Sequence, residues 1–237
     1  MAEEIARGIY KLDIPLFGSP LKNLNSYYIS DPNRGLLIDT GFNSRSCLDA
    51  MKKELSALSI DMEKTDIFIT HMHADHVGLS QELATESTKI FMSPTDKVYL
   101  ESLFLSDVNE RLAAEYTSEG FPPEEFEDSM KNSPMMRVSP AKHARFFGIN
   151  DGDILNCGDH ELTCISTPGH TPGHTCLYCG DKKLMFLGDH VLFDITPNIV
   201  RWPGFKNSLK EYLANLKKSA AMIQISHCPP TARLTAR

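Results

Sequence analysis

The sequence predicts a layered α/β fold, and three observations carry that prediction. Short apolar segments bounded by Pro, Gly, Asn or Asp alternate with segments whose apolar residues recur every three to four positions, the pattern of strands exchanging with helices. Two β-rich halves flank a helical stretch in the middle of the chain. At 237 residues with 41% apolar composition, one domain with an elaboration, or two small domains, can bury a full core. The reading adopted is one domain over residues 1–237 with an insertion at 94–145.

Arg7–Ile14, Leu24–Ser30 and Gly35–Asp39 read as strands, with Asp31-Pro-Asn-Arg-Gly35 as a turn between two of them. A helix follows, capped by Asn43, with Leu48, Met51, Leu55 and Leu58 on one face. Asp66–Thr70 is a strand running into His71-Met-His-Ala-Asp-His76, then Val77–Ala84 forms a short helix and Lys89–Ser93 another strand. Ser93 to Asp96 has a capping signature, and Leu100, Phe104, Val108, Leu112 and Tyr116 fall on one face of a helix that ends at Gly120. Met130, Met135 and Met136 follow among Ser and Pro, and this insertion reads equally as a surface hairpin or a substrate lid.

The second β-rich half begins near Asp151 and has strands at Glu161–Ser166, Thr175–Tyr178 and Lys183–Leu187. Thr167-Pro-Gly-His-Thr-Pro-Gly-His174 is a shaped loop. Ser208 and Glu211 form a capping box for a last helix whose inner face carries Leu209, Tyr212, Leu213, Leu216 and Ala220.

Composition excludes several classes. The net charge of −7 and the lack of a basic stripe argue against nucleic acid. No apolar run reaches the roughly 18–20 residues that span a bilayer. The N-terminus reads as no secretory signal, and six sparse cysteines suit a reduced, cytoplasmic setting. Cys176 and Cys179 have zinc-knuckle spacing, but on a strand they point to opposite faces and read as structural. His143 and His160 read as surface residues.

His71, His73, Asp75 and His76 place four ligand-type side chains within one short stretch. On extended backbone His71 and His73 share a face and can grip one ion, while Asp75 and His76 turn towards a second. Two further loops, His170/His174 and Gly188-Asp189-His190, each follow an apolar β-like run. Together these supply most of a two-metal site. Asp189 is the better bridging ligand, and His190 reads as structural.

These three loops, with Leu37-Ile-Asp-Thr-Gly41 upstream, resemble the metallo-β-lactamase-fold hydrolases from about residue 5 to 218. The resemblance implies an αββα sandwich of two face-to-face sheets with helices outside. It implies that His71, His73 and His170 hold metal one, that Asp75 and His76 hold metal two, and that Asp189 bridges. Asp39 would support the site without touching metal, and His174 would be a motif residue rather than a ligand. The family also implies a last histidine on metal two, for which the candidate is His227. Every one of the 31 acidic residues lies at or before Glu211, a composition shift that makes the tail 219–237 atypical and suggests a truncated, shifted or foreign end.

Gly188–Ile199 looks like the bacterial hydrolases grouped with glyoxalase II and lactamase-β-like proteins. The implied activity is a dinuclear zinc hydrolase, with manganese or iron as substitutes. A metal-bound hydroxide would attack a thioester or small carboxylic ester, and Asp75 would act as catalytic base. A lactonase of the acyl-homoserine-lactone type is the runner-up, a β-lactamase or mononuclear iron oxygenase remain alternatives, and a homodimer is left open.

Overall fold

The computed structural model describes residues 2–19, 21–102, 106–125, 128, 139, 145–193 and 195–225. A seven-stranded sheet runs in chain order through β1 (Glu3–Ala6), β2 (Ile9–Pro15), β3 (Asn23–Ile29), β4 (Gly35–Ile38), β5 (Thr65–Phe68), β6 (Ile90–Met92) and β7 (Phe146–Gly148). Its first four strands pair antiparallel and the last four pair parallel. Parallel neighbours need crossovers. These are α1 (Arg45–Ala57), then α2 (Ala74–Val77) with α3 (Ser80–Leu83), then α4 (Pro94–Ser102) with α5 (Ser106–Ser118). The second sheet is an antiparallel meander of β8 (Ile154–Cys157), β9 (His160–Ser166), β10 (Thr175–Cys179) and β11 (Leu184–Phe186), and α6 (Ser208–Ile225) closes the chain's described part.

Side-chain alternation sorts the strands' residues into three apolar layers. Leu12, Ile14, Leu37 and Ile67 face Met51 and Leu55 of α1 and Leu100 of α4. Their chain neighbours Ile38 and Phe68 point the other way, where they meet Leu162, Cys164, Leu177 and Phe186 between the sheets. Ile165, Cys176, Met185 and Leu187 cover the outer face of the second sheet, against Met222 of α6. Helix, sheet, sheet, helix is the four-layer αββα sandwich. Because both faces of the central strands are buried, they read as continuous apolar runs in the sequence.

Several local expectations are corrected. Ser44, not Asn43, caps α1 by accepting from Cys47 N, while Asn43 Nδ2 donates to Ser139 O. The β5 strand stops two residues early because Thr70 turns its N–H and hydroxyl to the Asp39 carboxylate instead of to a neighbouring strand. Among the described residues the insertion is helical over Pro94–Ser102 and Ser106–Ser118; Phe104, Met130, Met135, Met136 and His143 lie outside the described residues. Asn207, at φ 55° with its Oδ1 accepting from Lys210 N, caps α6 in place of Ser208.

The buried face of α6 also differs. Leu209 and Leu213 are half-exposed, and Ala220 is exposed, whereas Ser208, Tyr212 and Ser219 are buried. Polar demand sets this rotation: Asn215 Nδ2 donates to Pro168 O at 2.9 Å, and Ser219 Oγ sits 2.9 Å from His190 Nε2. A hydrophobic-face argument could not see those partners, which belong to loops distant in sequence.

Candidate metal centre

Four loops converge at one end of the sandwich. The first sheet contributes the turn after β4, with Asp39, and the run after β5, from Thr70 to His76. The second contributes the β9–β10 loop, with His170 and His174, and the turn after β11, with Asp189 and His190.

Ligand-type atoms of His71, His73 and His170 all lie within 4.8 Å of one another, and so do those of His71, His76 and Asp189. His73 Nδ1 is 3.1 Å from His71 Nε2 and 2.8 Å from His170 Nε2. Nitrogens bound tetrahedrally to one zinc at its usual bond length stand about 3.3 Å apart. The other ring nitrogens fix the tautomers. His170 Nδ1–H donates to Asn198 O at 2.8 Å. Thr70 Oγ1 spends its proton on Asp39 Oδ2, so it accepts from His71 Nδ1–H at 3.1 Å. The Nε2 lone pairs of His71 and His170 therefore point at the same spot as His73 Nδ1, an arrangement that repels itself unless a cation sits among them. His76 Nδ1–H donates to Asp39 Oδ2 at 2.8 Å, while its buried Nε2 faces Asp189 Oδ1 at 3.3 Å without an aligned hydrogen bond among the described residues. These donors fit a divalent cation.

Charges at the site follow burial and neighbours. Burial, with help from the surrounding imidazoles, lowers His71 well below the usual histidine range and His73 to about 3, and burial likewise lowers His170, so all three are neutral, as metal binding requires. Burial opposes a charge on His76, but the carboxylates of Asp39, Asp189 and Asp75 outweigh it and hold His76 well above its ordinary value, so in the metal-free chain a proton on His76 answers those carboxylates where a bound cation would replace it. Asp189 is buried too, yet His76 keeps it ionised far down in pH. Burial pushes Asp75 up to about 6 against the pull of His76.

Asp189 straddles the two groups, with Oδ1 3.3 Å from His76 Nε2 and Oδ2 3.5 Å from His170 Nε2. Asp75 Oδ2 lies 3.8 Å from His76 Nε2. Six of the seven sequence-picked residues therefore meet in one place, and the seventh, His227, lies outside the described residues. His174 turns Nδ1 to Thr167 Oγ1, and His190 turns Nε2 to Ser219, so neither joins the convergent set.

Three participants escaped the sequence reading. Trp202, the chain's single tryptophan, packs 5.9 Å from the His73 ring and donates to His170 O. It also lines an open cavity of about 600 Å³ with Val200, Phe205 and Leu209. The Asn198 carbonyl orients His170, and a backbone group leaves no trace in residue identity. Asp96 looked like part of a helix start, yet it is fully buried beside the ligand loops. One expectation fails outright: His160 is buried, its Nδ1 3.1 Å from Asp181 Oδ2, because Cys179 and Asp181 fold over it at the far end of β10. Cys176 and Cys179 do face opposite layers.

The profile described as the Metallo-beta-lactamase superfamily matches residues 21–222. The chain belongs to that superfamily. Among curated relatives, a protein from Aquifex aeolicus (strain VF5) is 28% identical, over 84% of this chain and 82% of its own. The acyl-coenzyme A thioesterase MBLAC2 of Gallus gallus is 25% identical over 84% of this chain and 67% of its own length. The atrochrysone carboxyl ACP thioesterase of Aspergillus fumigatus is 23% identical over 94% of this chain, which spans only 40% of that protein. Among solved structures, a metallo-beta-lactamase family protein from Thermus thermophilus superposes with a TM-score of 0.76 at 25% identity, over 92% of this chain and 71% of that one. A superfamily member of this kind binds divalent metal, and the histidine and aspartate clusters are where this chain can hold it.

Proposed function

We propose that the chain is a metal-dependent hydrolase of thioesters or small carboxylic esters, built for two zinc ions. The observation that carries the reading is the convergence of unprotonated imidazole nitrogens from His71, His73 and His170 beside the His76–Asp189 pair. In this reading His71, His73 and His170 hold one cation, Asp75 and His76 hold the other, and Asp189 reaches towards both. Bound there, divalent cations supply a Lewis acid for a scissile carbonyl and bring the ionisation of water near neutrality.

The chain's own groups do the rest. Asp75, whose carboxyl burial raises to about 6 in the metal-free chain, stands beside His76 as the group that takes a proton from an attacking water in this reading. Asp39 holds the His76 ring by its Nδ1–H, and the Asn198 carbonyl does the same for His170. Trp202 packs against the His73 ring on one side and lines the open cavity with Val200, Phe205 and Leu209 on the other, which places an acyl group of the substrate beside the imidazoles in this reading. The relatives named as thioesterases support a thioester over the other leaving groups. No described helix is long and apolar enough to cross a membrane, which suits a small-molecule substrate met in water.

The test is a hydrolysis panel of acyl thioesters, aryl esters, lactones and β-lactams, with metal content measured on the same samples. Thioester turnover that disappears on exhaustive chelation and returns with zinc is the expected result. Turnover that survives in protein shown to be metal-free overturns the reading.

A further inference from the structure

Asp96 lies in the first turn of α4, the opening helix of the insertion, and its side chain is fully buried. Its carboxylate accepts three hydrogen bonds. Oδ2 takes Met72 N–H at 3.0 Å and the Thr171 hydroxyl at 2.6 Å, while Oδ1 takes Gly173 N–H at 2.6 Å. Met72 stands between His71 and His73; Thr171 follows His170 and Gly173 precedes His174. We propose that Asp96 is the positioning residue of the centre, a clamp that joins the two ligand loops, one from each sheet, and sets the spacing of the His71, His73 and His170 imidazoles. The inference rests on the metal-centre reading above.

Two further features support it. All three partners are donors to the carboxylate, and two are backbone N–H groups with no freedom to reverse. An asparagine has the same shape but carries one NH₂, so in either orientation it sets N–H against N–H. Only a carboxylate satisfies the set, and such charge-assisted bonds hold geometry well. The facing loop is cut to match. A Cβ on Gly173 would lie 2.7 Å from Asp96 Oδ1, 2.5 Å from Asp96 N and 2.1 Å from Ser93 Oγ. That glycine of the second loop is therefore required by the approach of Asp96, not by a backbone turn. Outside this clamp, the described loops are tied by the backbone bond from Thr175 N to Thr70 O, one residue before the first ligand. Without Asp96, His71 would keep Thr70 and His170 would keep the Asn198 carbonyl, but the two loops would lose the bonds that set their separation.

The test compares wild-type protein with Asp96→Asn, Thr171→Val and Leu100→Ala, the last removing a buried core side chain from the same helix. Three quantities are measured: zinc affinity by competition with a chromophoric chelator, metal-free Tm, and amide exchange at Met72 and Gly173 in metal-free protein. Asp96→Asn should weaken zinc binding about 10–100-fold, the usual loss when a ligand's supporting group is removed, and should speed exchange at both amides. Thr171→Val, missing one of three bonds, should move the same way by less, and it decides the matter if Asp96→Asn does not fold. Leu100→Ala should lower Tm yet keep wild-type zinc affinity. Wild-type affinity in Asp96→Asn, or in a Thr171→Val protein standing in for it, overturns the clamp; so does an equal loss in Leu100→Ala. A wild-type protein that binds no zinc tightly overturns the metal-centre reading itself, and the clamp's role with it.

Discussion

Asp39 shows how one carboxylate can organise a site it does not line. Held at φ 58°, it accepts from Thr70 N at 2.9 Å, from Thr70 Oγ1 and from His76 Nδ1. Asp39→Asn preserves size and tolerates the left-handed backbone, but its amide cannot take all three donors. Zinc affinity and kcat/KM should each fall about 10–100-fold with a small change in Tm, measured by chelator competition and steady-state kinetics. Asp75→Asn should instead lower kcat by about 10²-fold or more while leaving zinc at His71, His73 and His170. A near-normal kcat would reassign the base. The ligand residues were legible because imidazoles and carboxylates at short spacing in three separate loops have little other use. Asp96 was not, since an Asp three residues after a Ser reads equally as a helix start; Ser93 Oγ does accept from Asp96 N, so that reading was true of the backbone and silent about the side chain. His160 was misjudged because its polar neighbours in sequence are not its neighbours in space.

At the scale of elements, eight of the eleven described strands were legible to within a residue or two, because burial concentrates apolar residues in short runs, whereas β1 and β7 were missed and β8 was seen only as a strand entered near Asp151. Helix faces were less so. The orientation of α6 answers to Pro168 O and His190, and its leucines at 209 and 213 are left half-exposed. Leu213→Ala should therefore change stability by under about 1 kcal/mol in urea unfolding, against the 2–5 kcal/mol typical of a core leucine. The segment carrying Trp202 is braced by Arg201, which pairs with Glu115 of α5 and with Glu119 just after it, and by Tyr99 of α4, whose hydroxyl donates to Pro203 O. The insertion thus touches the wall of the centre from two helices, with Leu100 turned into the core rather than towards the cavity. Trp202→Ala should raise KM for long-chain acyl thioesters more than for acetyl thioesters, with zinc content unchanged; equal effects on both would remove Trp202 from substrate contact.

For the whole molecule, burial of Asp96 has a signature in the pH dependence of stability. Burial lifts its carboxyl from 3.8 to about 6, against the pull of the Thr171, Met72 and Gly173 hydrogen bonds. Below about pH 4 the folded and unfolded chains both hold the proton. Between about 4 and 6 the unfolded chain gives it up first, so folding loses up to about 3 kcal/mol from this group as pH rises, and the loss is constant above that. In chelator-containing buffer, the wild-type minus Asp96→Asn difference in unfolding free energy should fall across that window; a flat difference would mean Asp96 ionises normally. The placement of the ligand loops on separate sheets has a consequence for synthesis. His73 and His170 are 97 positions apart yet 2.8 Å apart when folded. A ribosome adding about 5–20 residues per second exposes the HxHxDH run roughly 5–20 s before its partners exist. Through that interval the emerging polypeptide owns only part of a binding site, and full-strength capture of zinc has to wait until the second sheet has docked. Ribosome-bound chains arrested before residue 170 should accordingly retain zinc far more weakly than released full-length protein.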